Sequence, residues 1–355
     1  MRSRRSWLVV LVVTLGAAAP ARAHLLPRPF GLIRTNLCIK GTLVDHTANH
    51  GRDRRIYSAA LCEKRDLYVY LPPGYDPNKK YPLGIYLHGF LSDEINFLEW
   101  VVKPFDAAIA CGKLPPMILA APDGSPKGGN GLSTAGTFFL NSKLGNFEDY
   151  LVHDVYGFLM ENYSIRPEPE AHALLGVSMG GATAFCKVMK HRDKFGVATA
   201  FAPPLNIRWL SCRGRYFDNF DPACWDWREH FDPKDPVGKF CGGLFKIRMG
   251  NFTTPMYGKD NPETTELIAS QNPIELLDRL CIGPGFAEFY VAYGGKDQFN
   301  IDAQVESFLH RAREKGIEVG SEFRPTGRHS AWTAIRMLPA MIDWLAARME
   351  PFRVH

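Results

Sequence analysis

Short apolar runs alternate with longer stretches of helical period along most of the chain. Residues 67–71, 83–88, 117–121, 171–177, 197–201, 287–293 and 319–324 read as strands. Several are continuous apolar runs of about five residues, the pattern of strands covered on both faces. Residues 148–163 instead keep Tyr150, Leu151, Val155, Phe158, Leu159 and Tyr163 near one side, as an amphipathic helix does. Residues 179–190, 301–315 and 331–349 complete the helical set. The alternation predicts the α/β class, a mostly parallel sheet flanked by helices on both faces.

One stretch breaks this rhythm. Residues 203–272 have no clean strand–helix period and are rich in Trp, Phe, Asp, Pro and Gly. So long a segment is unusual as a plain loop in a compact domain. It is expected to be an inserted cap over a site on the sheet.

The N-terminus carries a different pattern. Arg2, Arg4 and Arg5 precede an apolar run from Trp7 to Leu15, and Ala21-Arg22-Ala23 has the small-x-small form of a cleavage site. Residues 1–23 are expected to be a signal peptide, leaving 24–355 as the α/β domain. A retained N-terminal anchor is the alternative, although the run is short for a bilayer span. Ser3-Arg4-Arg5-Ser6-Trp7-Leu8 also resembles a twin-arginine signal. The expected location is therefore secreted or periplasmic, with no stable membrane insertion after cleavage.

This segment also changes the meaning of the charge. Four of the 42 basic residues and none of the 37 acidic ones fall in residues 1–23, so the net charge drops from +5 to +1 on its removal. A near-neutral chain has no broad footprint for nucleic acid. An even set of eight cysteines in an oxidising compartment predicts disulfides. Cys38 with Cys62, and two of Cys212, Cys224 and Cys241, are the candidate pairs, whereas Cys186 on a helix reads as a buried thiol. No CxxC spacing and no cysteine–histidine cluster occurs, which argues against zinc.

The chemistry centres on Gly176-Val177-Ser178-Met179-Gly180-Gly181. A strand precedes it and a helix follows, the context of a G-x-S-x-G nucleophile elbow. The serine must sit on a sharp turn, so side chains two positions either side would clash and glycine stands there. A serine nucleophile needs a base and an orienting acid, in the order Ser, Asp or Glu, His. Asp297 lies in the loop after the strand at 287–293, and His329 lies just past the strand at 319–324. Asp302 and Glu306 are the nearest alternative acids but fall on the next helix. His153, His172 and His310 sit inside predicted elements. The oxyanion donors are expected to be the N–H groups of Met179 and of Phe90 in Leu87-His88-Gly89-Phe90-Leu91, with Leu91 as alternative. His88 is expected to bond backbone and shape that loop.

These residues resemble the putative-esterase family of α/β-hydrolases, which includes esterase D-type, feruloyl and enterochelin-type esterases and the mycolyltransferases. The resemblance rests on Val69-Tyr70-Leu71-Pro72-Pro73-Gly74-Tyr75-Asp76 with Lys80-Tyr81-Pro82, Leu87-His88-Gly89, Asn146-Phe147-Glu148-Asp149-Tyr150 and the Ser178 elbow. It continues with Gly294-Gly295-Lys296-Asp297-Gln298-Phe299-Asn300 and Gly327-Arg328-His329-Ser330-Ala331-Trp332. It implies an α/β-hydrolase fold, a Ser178–His329–Asp297 triad and structural roles for Glu148 and Asp149. It also implies that Trp332 packs beside His329 and helps hold its ring.

The expected activity is a serine carboxylic-ester hydrolase working through an acyl-enzyme, on a small-molecule or carbohydrate-linked ester, with no metal or cofactor. Leu91, Phe138, Phe139 and Trp332 are the candidate substrate contacts, and Trp225 and Trp227 are further aromatic candidates for a pocket. Transfer to an alcohol acceptor, peptide hydrolysis and non-catalytic binding on the same fold are the competing functions.

Overall fold

The computed structural model describes residues 28–126 and 136–354; the expected signal segment 1–23 lies outside them. Eight strands form one sheet: β1 (Thr42–His46), β2 (Leu67–Leu71), β3 (Leu83–Leu87), β4 (Ile118–Pro122), β5 (His172–Val177), β6 (Val197–Phe201), β7 (Glu288–Gly294) and β8 (Val319–Arg324). Their order is β1-β2-β4-β3-β5-β6-β7-β8. Only β2 runs against its neighbours, pairing antiparallel with both β1 and β4. The pairs from β4 through β8 are all parallel.

Strand alternation sends successive side chains to opposite faces. On one face, Ile85, Leu174, Ala200 and Val291 pack under α2 (Met179–Lys190), α3 (Ile301–Glu314) and the helical run from Phe147 to Asn162. On the other, Tyr86, Leu175, Phe201 and Ala292 meet α1 (Val102–Ala110) and α4 (Ala331–Met349). Both layers exclude water, which is why the strands read as unbroken apolar runs.

Residues 203–272 sit between β6 and the helix Pro273–Arg279. They contain two small hairpins, Trp209–Ser211 with Trp225–Trp227 and Pro236–Phe240 with Phe245–Arg248, followed by the helices Thr253–Tyr257 and Pro262–Ala269. Phe231, Val237, Ile247, Met249 and Ile268 give the segment a small core of its own. Trp225 stacks on Trp209 and Trp227 contacts Arg208, so both expected pocket tryptophans belong to this packing instead. All eight cysteines are free thiols here, so no expected pair is joined, and Cys186 is the buried one. No helix among the described residues is long and apolar enough to cross a membrane.

Candidate active site

Four strand ends supply the site. β3, β5, β7 and β8 deliver the Phe90 loop, Ser178, Asp297 and His329 at their C-terminal edge, where open α/β sheets place their sites. Ser178 joins β5 to α2 with φ of 51°, a left-handed conformation that a non-glycine residue rarely takes. The turn is tight enough that a Cβ on Gly176 would lie 2.1 Å from the Gly180 carbonyl oxygen, and one on Gly180 2.1 Å from that of Leu87. Both flanking glycines are therefore demanded by backbone contact. The Ser178 amide is tied to the Phe201 carbonyl at 2.7 Å, which fixes the elbow against β6.

Ser178 Oγ lies 2.9 Å from His329 Nε2, and His329 Nδ1 lies 2.8 Å from Asp297 Oδ2. The Asp297 side chain is 1 % exposed and that of His329 18 %. The other Asp297 oxygen accepts the Phe299 amide at 2.8 Å, so the carboxylate is held from both sides. His329 is positioned further by its own amide, which donates to Gln298 Oε1 at 2.9 Å. The Phe299 ring meets the imidazole edge-on, with centroids 4.8 Å apart. Asp302, the alternative acid, has its carboxyl pushed up by burial and by the charge of Asp297.

The 203–272 segment grips the loop after β7 that carries Asp297. Tyr216 donates its hydroxyl to the Phe299 carbonyl at 2.8 Å, and Asn300 Nδ2 donates to the Tyr216 carbonyl at 2.7 Å. The Lys239 amide donates to the Gln298 carbonyl at 2.9 Å. Asn300 itself is left-handed, with φ of 54°, a conformation Asn accepts more easily than most residues.

Met179 opens α2, so its N–H has no partner within the helix. A Cβ on Gly89 would lie 3.7 Å from Ser178 Cβ, which brings the Gly89–Phe90 peptide beside the serine. His88 stabilises that loop as a neutral ring. The Gly124 amide donates to Nε2 at 2.9 Å, and Nδ1 donates to the Gly89 carbonyl at 2.9 Å. Burial lowers its pKa despite the nearby Asp123.

A cavity of about 1440 Å³ opens at Ser178, and Phe90, Leu91, Phe138, Met249, Phe252 and Met256 line the side toward the inserted segment. Two expected substrate contacts are corrected. Phe139 is fully buried, with its ring 5.6 Å from His88, because the consecutive left-handed residues Phe138 and Phe139 turn one ring to the cavity and the other to the core. Trp332 is 46 % exposed and does not line the cavity, because its place on the first turn of α4 points it outward. The ring beside His329 is Phe299, which lies within a motif already legible in the sequence. Glu148 anchors α2, reaching Lys187 at 2.5 Å, Lys190 at 2.7 Å and His191 at 2.9 Å.

The chain matches the family model described as "Esterase: Putative esterase" over residues 58–330. Among solved structures it is similar to a ferulic acid esterase at 17 % identity and TM-score 0.62, over 87 % of this chain and 99 % of that one. An S-formylglutathione hydrolase from Agrobacterium tumefaciens aligns at 16 % identity and TM-score 0.61, over 87 % and 96 % of the two chains. A ferulic acid esterase from Anaeromyces mucronatus, solved with ferulic acid, aligns at 20 % identity and TM-score 0.55, over 88 % and 92 %. These identities speak for a shared α/β-hydrolase fold, while the family match spans most of the chain. This protein therefore belongs to the putative-esterase family and is a carboxylic-ester hydrolase of the α/β-hydrolase fold.

Proposed function

We propose that Ser178, His329 and Asp297 carry out two-step acyl transfer on a carboxylic ester in an exported protein. The unbroken hydrogen-bond chain from Ser178 Oγ through His329 to Asp297 is the observation that carries this reading. His329 Nε2 takes the Ser178 proton as Oγ bonds to the ester carbonyl carbon. Asp297 holds the remaining ring proton on Nδ1 and stabilises the imidazolium. The Met179 and Phe90 N–H groups receive the oxyanion; loss of one such donor costs about 3 kcal/mol in comparable sites.

Collapse of the tetrahedral intermediate breaks the acyl–oxygen bond, and His329 protonates the departing alcohol. Water then gives its proton to His329 and its hydroxyl to the acyl carbon, and Ser178 recovers its proton as the acid leaves. The left-handed Ser178 suits this role, since strained backbone gathers where a group must be held in advance. The 203–272 segment acts as the cap that shapes the substrate's surroundings, and small-molecule esters are the substrate class.

Ser178→Ala is expected to abolish p-nitrophenyl acetate turnover and labelling by a fluorophosphonate while leaving thermal unfolding unchanged. Retained turnover in that variant would refute the assignment.

A further inference from the structure

The loop after β3 is held by side chains at each step. His88 fixes its Gly89 end through both ring nitrogens. Leu91 is left-handed, with φ of 59°, a conformation that persists in a non-glycine residue only where its surroundings hold it. Phe90, between them, is packed through its ring. A Cβ on Gly136 would lie 2.8 Å from Phe90 Cδ2 and 2.3 Å from Met179 Sδ, so glycine there makes room for the side chains of both expected oxyanion donors. The Phe138 amide donates to Met179 Sδ at 3.3 Å.

Phe252 reaches this cluster from the inserted segment. Its ring centroid lies 4.6 Å from that of Phe90, and it meets the Phe138 ring edge-on at 6.3 Å. The contact joins two cores. Phe90 and Phe138 pack against the main one, and Phe252 packs against the small core that includes Met249. The Phe252 amide donates to the Met249 carbonyl at 2.9 Å. The helix Thr253–Tyr257 that follows is tied to the domain, where the Lys143 amide donates to the Met256 carbonyl at 3.1 Å. Phe252 is thus presented to Phe90 from an anchored backbone.

We infer that Phe252 is a positioning residue of the oxyanion hole, acting through the Phe90 ring, an inference that rests on the reading of Ser178 as nucleophile and of Phe90 and Met179 as donors. Oxyanion donors act by being aimed in advance at the place where charge develops. A Phe90 ring held by Gly136 and Phe252 restrains the backbone that carries its N–H. Without the Phe252 ring the donor remains but its aim loosens, and misplacement by about 1 Å costs about 10²-fold in rate. The loss belongs to the transition state, since the neutral ester carbonyl gains less from the same N–H.

The test compares Phe252→Ala with the parent on p-nitrophenyl acetate and on its thiono analogue, whose sulfur accepts hydrogen bonds poorly. In Phe252→Ala kcat should fall by about 10- to 100-fold with KM little changed, and the oxo-to-thiono ratio of kcat/KM should shrink. The pH profile of kcat/KM should not move, because Asp297 and His329 keep their contacts. Phe252→Tyr, which keeps the ring, should restore the rate. Phe252→Leu keeps apolar bulk in the cap and carries the same test if the alanine variant does not fold. In a Phe90→Ala background, loss of the Phe252 ring should cost little more. An unchanged kcat, a fall with the oxo-to-thiono ratio unaltered, a shifted pH profile or full additivity with Phe90→Ala would overturn the inference and leave the hydrolase reading standing. Absence of ester turnover in the parent protein would overturn both.

Discussion

Replacing Asp297 by Asn tests the acid's role without changing its shape. One carboxylate oxygen accepts the Phe299 amide at 2.8 Å and the other faces His329 Nδ1 at 2.8 Å. An asparagine must keep its carbonyl oxygen toward the Phe299 N–H, because two facing N–H groups would repel. Its NH₂ then faces His329 and can only donate. The imidazole is forced to carry its proton on Nε2, the nitrogen that lies 2.9 Å from Ser178 Oγ, and cannot accept the serine proton. The equivalent change in the serine-protease template lowers kcat about 10⁴-fold for the same tautomeric reason. That factor corresponds to about 5.5 kcal/mol of lost transition-state stabilisation.

The assay is steady-state hydrolysis of p-nitrophenyl acetate near pH 7.5, with denaturant unfolding run in parallel. The expected outcome is a large fall in kcat with unfolding little changed. Combined with Ser178→Ala, the loss should fall far short of the sum of the single effects, since the residues act as a unit. A loss below about tenfold, or full additivity, would refute the tautomer argument and return attention to Asp302.

Two further outcomes follow from other parts of the molecule. Burial pushes the Glu148 carboxyl up, but His191, Lys187 and Lys190 outweigh it and hold it below the ordinary carboxylate range. Its contribution is therefore complete above about pH 4.5 and is lost as pH falls toward the folded value. Glu148→Gln strands the fully buried Lys187, and urea titration should show a loss of about 3 kcal/mol at neutral pH that narrows in acid. An unchanged midpoint at neutral pH would contradict this. Cys212 and Cys224 lie one step beyond the Ser211–Trp225 register pair, and the Cys224 thiol, in hydrogen-bonding contact with Cys212, has its pKa raised chiefly by it. Protein recovered from an oxidising compartment should yield a Cys212–Cys224 linked peptide, and reduction should cost about 3 kcal/mol. Mass spectrometry finding both free would refute the pairing.

The legibility of the sequence followed the environment of each segment. β3 through β7 lie between two helical layers, so solvent leaves no polar imprint and each reads as a short apolar run. β1, Thr-Leu-Val-Asp-His at the sheet edge, is half-exposed and shows no such run. The hairpins at 209–227 and 236–248 have strands of three to five residues, too short for a period to develop. Ser178, Asp297 and His329 were readable because each follows a strand end in a fixed order. Phe138 and Phe139 were not separable, since only their left-handed backbone decides which ring turns inward. The contacts of Phe299 with His329 and of Gln298 with its amide depend on loop shape, which residue type alone does not specify.

The grip of the 203–272 segment on Gln298, Phe299 and Asn300 bears on how this site can be re-engineered. A segment that touched only substrate could be exchanged between relatives as an independent module. Here Tyr216, which lines the cavity, also holds the loop after β7, joined there by Lys239 of the same segment. A transplanted roof would arrive without the Tyr216 and Lys239 contacts that the loop expects. Under the proposed triad, changes of specificity made through this segment are coupled to the placement of Asp297, and a graft is expected to need residues 298–300 with it.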